Sequence, residues 1–170
     1  MTKPICVSIS GGIAVGKTTL AGQLGAALQG CQTFIEYPEN NPYLADFYAD
    51  MQRWAFHSRI AMLAMFASHY NAFDYTRQVI LLDRSLHELI AFANLHADRG
   101  NLAARDFSIY KMLYDAYLAL APPLDCVVYL ACSPGVALQR IAERNRVFER
   151  GVSEAYLLAV DQYYERWLAN

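Results

Sequence analysis

The sequence contains no run of like charge. Its 14 Lys and Arg are scattered among 16 Asp and Glu for a formal net charge of −2, so nothing in it matches a row of polynucleotide phosphates, and nucleic acid is not an expected partner. Long apolar runs are missing too. No stretch approaches the ~18 consecutive apolar residues of a membrane-spanning helix, and the opening MTKPICVSISGG lacks the apolar segment of a secretion signal. The expectation is a cytoplasmic protein with no membrane contact. The cysteines Cys6, Cys31, Cys126 and Cys132 form no C-x-x-C pair and have no His at zinc-ligand spacing, which argues against a structural metal or disulfide framework and for reduced thiols. Repeats, linkers and low-complexity segments are absent, so residues 1–170 are expected to form one domain. With 55% hydrophobic residues, the chain can bury a substantial core.

What is present alternates. Apolar runs of strand length at 5–10, 32–37, 78–83 and 124–130 are separated by stretches of helical period at 19–28, 42–73, 86–121, 134–143 and 153–168. The long third stretch breaks at 98–101, where Gly100 supplies the interruption. Strand and helix in alternation predict an α/β domain with a parallel sheet. In such folds the ligand binds beyond the carboxyl ends of the strands.

Directly after the first strand, GGIAVGKTT fits the spacing G-x-x-x-x-G-K-[ST], with Gly11, Gly16, Lys17 and Thr18 in the four required places. Gly12, Ala14 and Thr19 complete the loop. Glycines let the backbone curl so that its N–H groups face phosphate oxygens, Lys17 brings a cation to the terminal phosphates, and the Thr18 hydroxyl can ligate Mg²⁺. The chain is therefore expected to bind a nucleoside triphosphate.

A phosphate loop leaves the acceptor open, and the other strand ends must supply its chemistry. Glu36, at the end of the second predicted strand, can take the proton of an attacking hydroxyl; it reads equally as a solvated acid in a turn, with Glu39 just beyond as a competitor, and spacing alone does not decide. Asp83-Arg84-Ser85 closes the third strand, where an acid can hold Mg²⁺ and an Arg can fix the base or bridge charge on the phosphates. Arg140, Arg144 and Arg146 follow the fourth strand. They read either as a closing set of phosphate clamps or as a solvated basic helix.

Together with E-Y-P-E-N-N-P-Y-L, F-Y-A-D-M-Q-R-W-A-F, D-R-S, V-V-Y-L followed by S-P, and R-I-A-E-R-N-R-V-F-E, these motifs resemble the deoxynucleoside kinases, nearest the bacterial deoxyadenosine and deoxyguanosine kinase branch. The resemblance covers nearly the whole chain. It implies the P-loop kinase fold, with a four-stranded sheet in the order 2-3-1-4 flanked by helices. It also implies phosphorylation of a deoxynucleoside 5′-hydroxyl by ATP with Mg²⁺. Residue by residue, it makes Glu36 the general base with Arg84 beside it, Thr18 and Asp83 the metal-associated pair, Tyr48 and Glu149 the holders of the 3′-hydroxyl, and Arg140, Arg144 and Arg146 the lid. Family habit and the aromatic helical surface over 46–75 suggest a homodimer.

Three positions depart from the family pattern. Five residues after Trp54, where a Gln normally reads the base, stands Arg59. Gln offers an acceptor and a donor, whereas Arg offers donors only. Either the base is read through acceptors such as guanine O6 and N7, or the alignment slips and His57 or another group does the reading. After D-R-S the family's E-D is replaced by Glu88-Leu89, one residue short of its aromatic; Phe92 then reads equally as a base-stacking ring or a core phenylalanine. Family members also continue into a fifth strand, whereas this chain stops at Asn170. A nucleoside monophosphate kinase of thymidylate kinase type and a non-catalytic nucleotide-binding module are the competing readings.

Overall fold

The computed structural model of the chain describes residues 3–169. The order of elements is β1 (Ile5–Gly11), α1 (Lys17–Ala27), β2 (Cys31–Phe34), α2 (Leu44–Ala49), α3 (Met51–Tyr70), β3 (Val79–Asp83), α4 (Leu89–Asp98), α5 (Ala104–Leu120), β4 (Cys126–Leu130), α6 (Pro134–Arg144) and α7 (Glu154–Leu168). The strands form one parallel sheet in the order β2-β3-β1-β4, as the family resemblance implies. The two central strands are covered on both faces, which is why Ile80, Leu81 and Leu82 are buried in succession rather than alternately.

Register decides what the carboxyl edge presents. Ile9 pairs with Asp83, and Gly11 with Leu130. The Asp83 carboxylate therefore lies beside the strand that runs into the phosphate loop. The Arg84 N–H continues the ladder to Ile9 O at 3.0 Å, and Arg84 then turns through φ 69°, a left-handed conformation that redirects the chain into the site.

Helix ends follow capping chemistry. Asp50 accepts from the Arg53 N–H to open α3, Ser133 with Pro134 opens α6, and Ser153 caps α7. α6 stops at Asn145, whose left-handed φ of 49° turns the chain back toward Glu149. The largest core cluster packs Tyr156, Val160 and Tyr164 of α7 on Phe92 and Leu95 of α4.

Several boundaries differ from those read in the sequence. β2 ends at Phe34, so Glu36 lies two residues beyond the strand; β2 is an edge strand whose only partner is β3, and pairing ends with Phe34 opposite Leu82. α1 begins at Lys17 because Gly16, at φ 107°, is its N-cap. The 42–73 stretch divides at Asp50, whose extended φ/ψ of −148°/89° separates α2 from α3. Within the aromatic surface expected over 46–75, Phe47, Phe66 and Phe73 are buried, Tyr48, Trp54, Phe56 and Tyr70 are partly covered, and Tyr75 is exposed. The exposed apolar stripe lies instead on α5, at Ile109, Met112, Leu113, Tyr117 and Leu120. Among the described residues no helix is long and apolar enough to cross a membrane, and all four cysteines are free thiols.

Candidate active site

The phosphate loop is built on three positive-φ residues, Gly11 at 141°, Ala14 at 60° and Gly16 at 107°. Gly11 has no latitude: a Cβ there would stand 2.2 Å from Leu130 O of β4. Lys17, on the first turn of α1, is buried, and its Nζ donates to Gly12 O at 2.5 Å. Burial, with Arg84 nearby, draws the Lys17 ammonium down to about 8. A polyphosphate at this loop would restore the charge, since an anion favours the protonated amine.

Beside the loop, Thr18 Oγ1 donates to Asp83 Oδ2 at 2.6 Å, while Asp83 Oδ1 is buried with no partner. Burial pushes the Asp83 carboxyl up, against the Thr18 hydrogen bond that favours its ionised form. An unpartnered carboxylate oxygen next to a loop hydroxyl fits Mg²⁺, which is held by one or two protein groups together with phosphates and water. Among the described residues no cluster of three or more His, Cys, Asp or Glu could form an all-protein metal cage.

Arg84 is the hub of the acceptor side. Its Nε donates to Glu36 Oε2 at 3.0 Å, its Nη1 to Glu88 Oε1 at 2.9 Å, and Nη1 also contacts the Tyr164 hydroxyl. Tyr164 in turn donates to Glu88 Oε1 at 2.6 Å. Burial alone would raise Glu36, but Arg84 and Lys17 outweigh it and hold the carboxyl below the usual range. Glu88, wholly buried, is pushed up by its burial, against the pull of Arg84 and Lys17.

Arg140, Arg144 and Arg146, after β4, find different partners. Arg140 Nη1 donates to Ala14 O at 3.2 Å and Val15 O at 3.0 Å, tying α6 to the loop. Arg144 grips Glu149 through Nε and Nη2, each at 2.6 Å, and Arg146 lies 3.4 Å from Glu39. Glu39, the rival to Glu36 in the sequence, is thus drawn toward the lid and away from Arg84.

One cavity of about 710 Å³ unites these groups. Ala14, Gly16, Lys17, Thr18, Thr19, Glu36, Tyr48, Arg59, Arg84, Phe92, Arg140, Arg144, Arg146 and Glu149 all line it. Gly11, Gly12 and Asp83 stand behind that wall. The Tyr48 ring stacks on Phe148 at 6.1 Å, beside Glu149, and burial, followed by the nearby Tyr156 and Glu149, raises its phenol. Phe92 is both core and wall: it is buried, lines the cavity, and has the guanidinium carbons of Arg59 and Arg84 at 5.2 and 5.1 Å from its ring centre. His57, the alternative base reader, is exposed and packs on Tyr43 and Trp54, away from the cavity lining.

Sequence reasoning missed the second half of the Arg84 hub. Glu88 stands four residues after Arg84, but Arg84 lies outside any helix, at φ 69°, so that spacing carried no helical signal. Tyr164 lies 80 residues away on α7 and carried no local sign. The buried Tyr156–His96–Asn101 chain, joined at 3.2 and 3.3 Å, was likewise invisible; it backs the wall that Tyr156 contributes to the cavity.

Comparison with known proteins agrees with this geometry. The deoxynucleoside kinase family profile matches residues 7–170. The chain is 32% identical over 167 residues to the deoxyadenosine/deoxycytidine kinase of Bacillus subtilis, covering 96% of this chain and 76% of that protein. It is 31% identical to the deoxyguanosine kinase of Dictyostelium discoideum, spanning 95% of this chain but only 58% of that longer relative. Among solved structures, deoxyadenosine kinase from M. mycoides with bound dCTP superposes with a TM-score of 0.85 at 28% identity, over 97% of this chain and 84% of that one. With a family profile matched over nearly its whole length, the same sheet order, and a phosphate loop facing a carboxylate-arginine pair across one cavity, the chain belongs to the deoxynucleoside kinase family and is an ATP-dependent deoxynucleoside kinase.

Proposed function

We propose that the cavity places the γ-phosphoryl group of ATP over Lys17 and the 5′-hydroxyl of a deoxynucleoside against Glu36, which takes its proton as the oxygen attacks in line. The observation that carries this reading is the Arg84–Glu36 hydrogen bond at 3.0 Å in the cavity that Lys17 also lines. Arg84 aims one carboxylate oxygen and keeps it ionised, so the base is ready throughout the ordinary pH range. Lys17 and the loop amides carry the charge of the phosphates, and the lid arginines add donors where charge spreads over the transferring oxygens. Arg140 is already within reach of the loop through Ala14 O and Val15 O. Mg²⁺, held by Thr18, Asp83 and the phosphates, would neutralise part of that charge.

Glu149, fixed by two bonds from Arg144, is a preorganised acceptor for a sugar hydroxyl, with Tyr48 next to it as a second polar contact. A cytoplasmic site of action, where ATP is available, goes with this reading. So does a homodimer formed through the α5 stripe, because five exposed apolar residues on one helical face form a surface that a second copy would cover. A coupled assay of ADP release with the four natural deoxynucleosides tests the reaction. Nucleoside-dependent, Mg²⁺-dependent turnover is the expected result; saturation only by deoxynucleoside monophosphates would replace it with the monophosphate kinase reading.

A further inference from the structure

Arg59 has no carboxylate partner among the described residues, although only 6% of it is exposed. It extends from α3 between two aromatic rings, its guanidinium carbon 5.2 Å from the centres of both Phe47 and Phe92. Its one hydrogen bond is long, 3.4 Å from Nη2 to Ser58 Oγ, and that oxygen already accepts from Asn41 Nδ2 at 3.0 Å. Arg59 Nε is buried without any partner. Desolvating a guanidinium and leaving one of its donors unpaired is costly, and here the group lines the acceptor cavity.

The surroundings show what would satisfy it. The two carboxylates lining the cavity are committed, Glu36 to Arg84 and Glu149 to Arg144. Leu44, Met62, Leu89 and the rings of Phe47 and Phe92 form most of that part of the wall and offer no oxygen or nitrogen acceptor; the Tyr48 and Tyr156 hydroxyls, which also line the cavity, make no hydrogen bond to Arg59 among the described residues. A base that presented an amino group toward Arg59 would set donor against donor. A base that presented two neighbouring acceptors would match the planar fork of the guanidinium.

We infer that Arg59 is a specificity-determining residue and that the cavity selects 6-oxopurine deoxynucleosides, those of guanine and hypoxanthine, by pairing the guanidinium with O6 and N7. These two atoms are adjacent acceptors, the edge on which Arg reads guanine with two hydrogen bonds. On the same edge adenine offers N7 beside an amino donor; the neighbouring acceptors of cytosine, N3 and O2, lie on the sugar side of its ring, and thymine sets each carbonyl beside a ring N–H. Phe92, already against Arg59, supplies an apolar face for the purine ring. The inference rests on the kinase reading above and deepens it by naming the base class.

The test ranks deoxyguanosine, deoxyinosine, 7-deazadeoxyguanosine, deoxyadenosine, deoxycytidine and thymidine on the native chain. Both kcat/KM and calorimetric Kd are measured, so that a chain with weak turnover still ranks the bases. Deoxyguanosine and deoxyinosine should lead deoxyadenosine, deoxycytidine and thymidine by about tenfold or more, and loss of N7 in the 7-deaza compound should cost about tenfold. In Arg59→Gln, whose amide matches adenine N6 and N7, the ratio of deoxyadenosine to deoxyguanosine should rise by about tenfold, with binding of a fluorescent ATP analogue unchanged. A lead for any non-6-oxopurine base, or a 7-deaza compound equal to deoxyguanosine, overturns the inference in the native chain alone, whether or not the variant folds. Turnover without base preference likewise overturns it while leaving the kinase intact. Absence of all turnover together with monophosphate binding would instead remove the kinase reading.

Discussion

Replacing Glu36 by Gln separates the chemical role of that carboxylate from its electrostatic one. The amide nearly preserves shape but removes both the basic oxygen and the negative charge that answers Arg84. Loss of the positioned base is expected to lower kcat on the order of 10²-fold, equivalent to ~2.7 kcal/mol of barrier. The second effect is on stability. Arg84 is buried and keeps Glu88, at 2.9 Å, as its remaining carboxylate partner, so the guanidinium loses one of two counter-charges. Weakening a buried charged hydrogen bond in this way should cost about 1–3 kcal/mol, or roughly 3–10 °C in Tm for a chain of this size.

Glu36→Asp is the complementary variant. It retains the charge but withdraws the oxygens by one methylene, so kcat should fall while most of the stability returns. Steady-state kinetics with ATP and the best nucleoside, beside thermal unfolding of all three proteins, makes the measurement. Because Arg84 and Lys17 hold Glu36 below its ordinary 4.5, the acid limb of native kcat/KM should lie below that pH, and it should vanish in Glu36→Gln. A Glu36→Gln enzyme with kcat within about threefold of native would refute the assignment, since general-base catalysis contributes at least 10²-fold where it operates.

Three further outcomes are expected. His96 is fully buried, and desolvation, with Arg59 next, pulls its imidazole down to about 3; the unfolded chain takes up that proton near 6.5 while the folded chain does not. Folding stability should therefore be unaffected by His96 above pH 6.5 and decline as pH falls from there toward 3, by on the order of 2 kcal/mol between pH 7 and 5. Urea denaturation of wild type and His96→Gln at both pH values isolates this contribution, and an equal pH response in the two would exclude it. Gly11→Ala places a Cβ 2.2 Å from Leu130 O at a φ of 141°, so ATP affinity measured by calorimetry should fall at least tenfold, as either the loop or β4 must move; native affinity would show the loop to be deformable. Met112→Glu with Leu120→Lys on the α5 stripe should convert a dimer to a monomer in analytical ultracentrifugation without loss of fold, and an unchanged sedimentation coefficient would rule the stripe out as the contact.

The parts of this kinase legible in its sequence are those with short-range causes. Gly11, Gly16, Lys17 and Thr18 are recognisable because a curled backbone, a cation and a hydroxyl must follow one another at fixed spacing to hold phosphates. The strands were legible because buried parallel strands are continuously apolar, as 80–82 shows. Glu36 could be nominated but not separated from Glu39, since what decides between them is the position of Arg84, 48 residues on. The Tyr164 hydroxyl and the Tyr156–His96 pair meet the site only through the packing of α7 on α4. Arg59 was conspicuous as a departure, yet its lack of an ion-pair partner among the described residues emerges only when α2, α3 and α4 are assembled around it.

The phosphate-side groups lean on one another: Lys17 on Gly12 O, Thr18 on Asp83, Arg140 on the Ala14 and Val15 carbonyls, and Arg144 on Glu149. Nucleotide binding is then an exchange of partners more than a gain of them. For Lys17 and Arg140, a phosphate contact would be offset by the carbonyl contact given up, and affinity would reflect the difference between the two. The reverse holds at the end of the cycle. As a diphosphate departs, every cation and hydroxyl has a protein acceptor within reach, so release does not strand a desolvated charge. Such an arrangement would moderate the grip on a departing diphosphate.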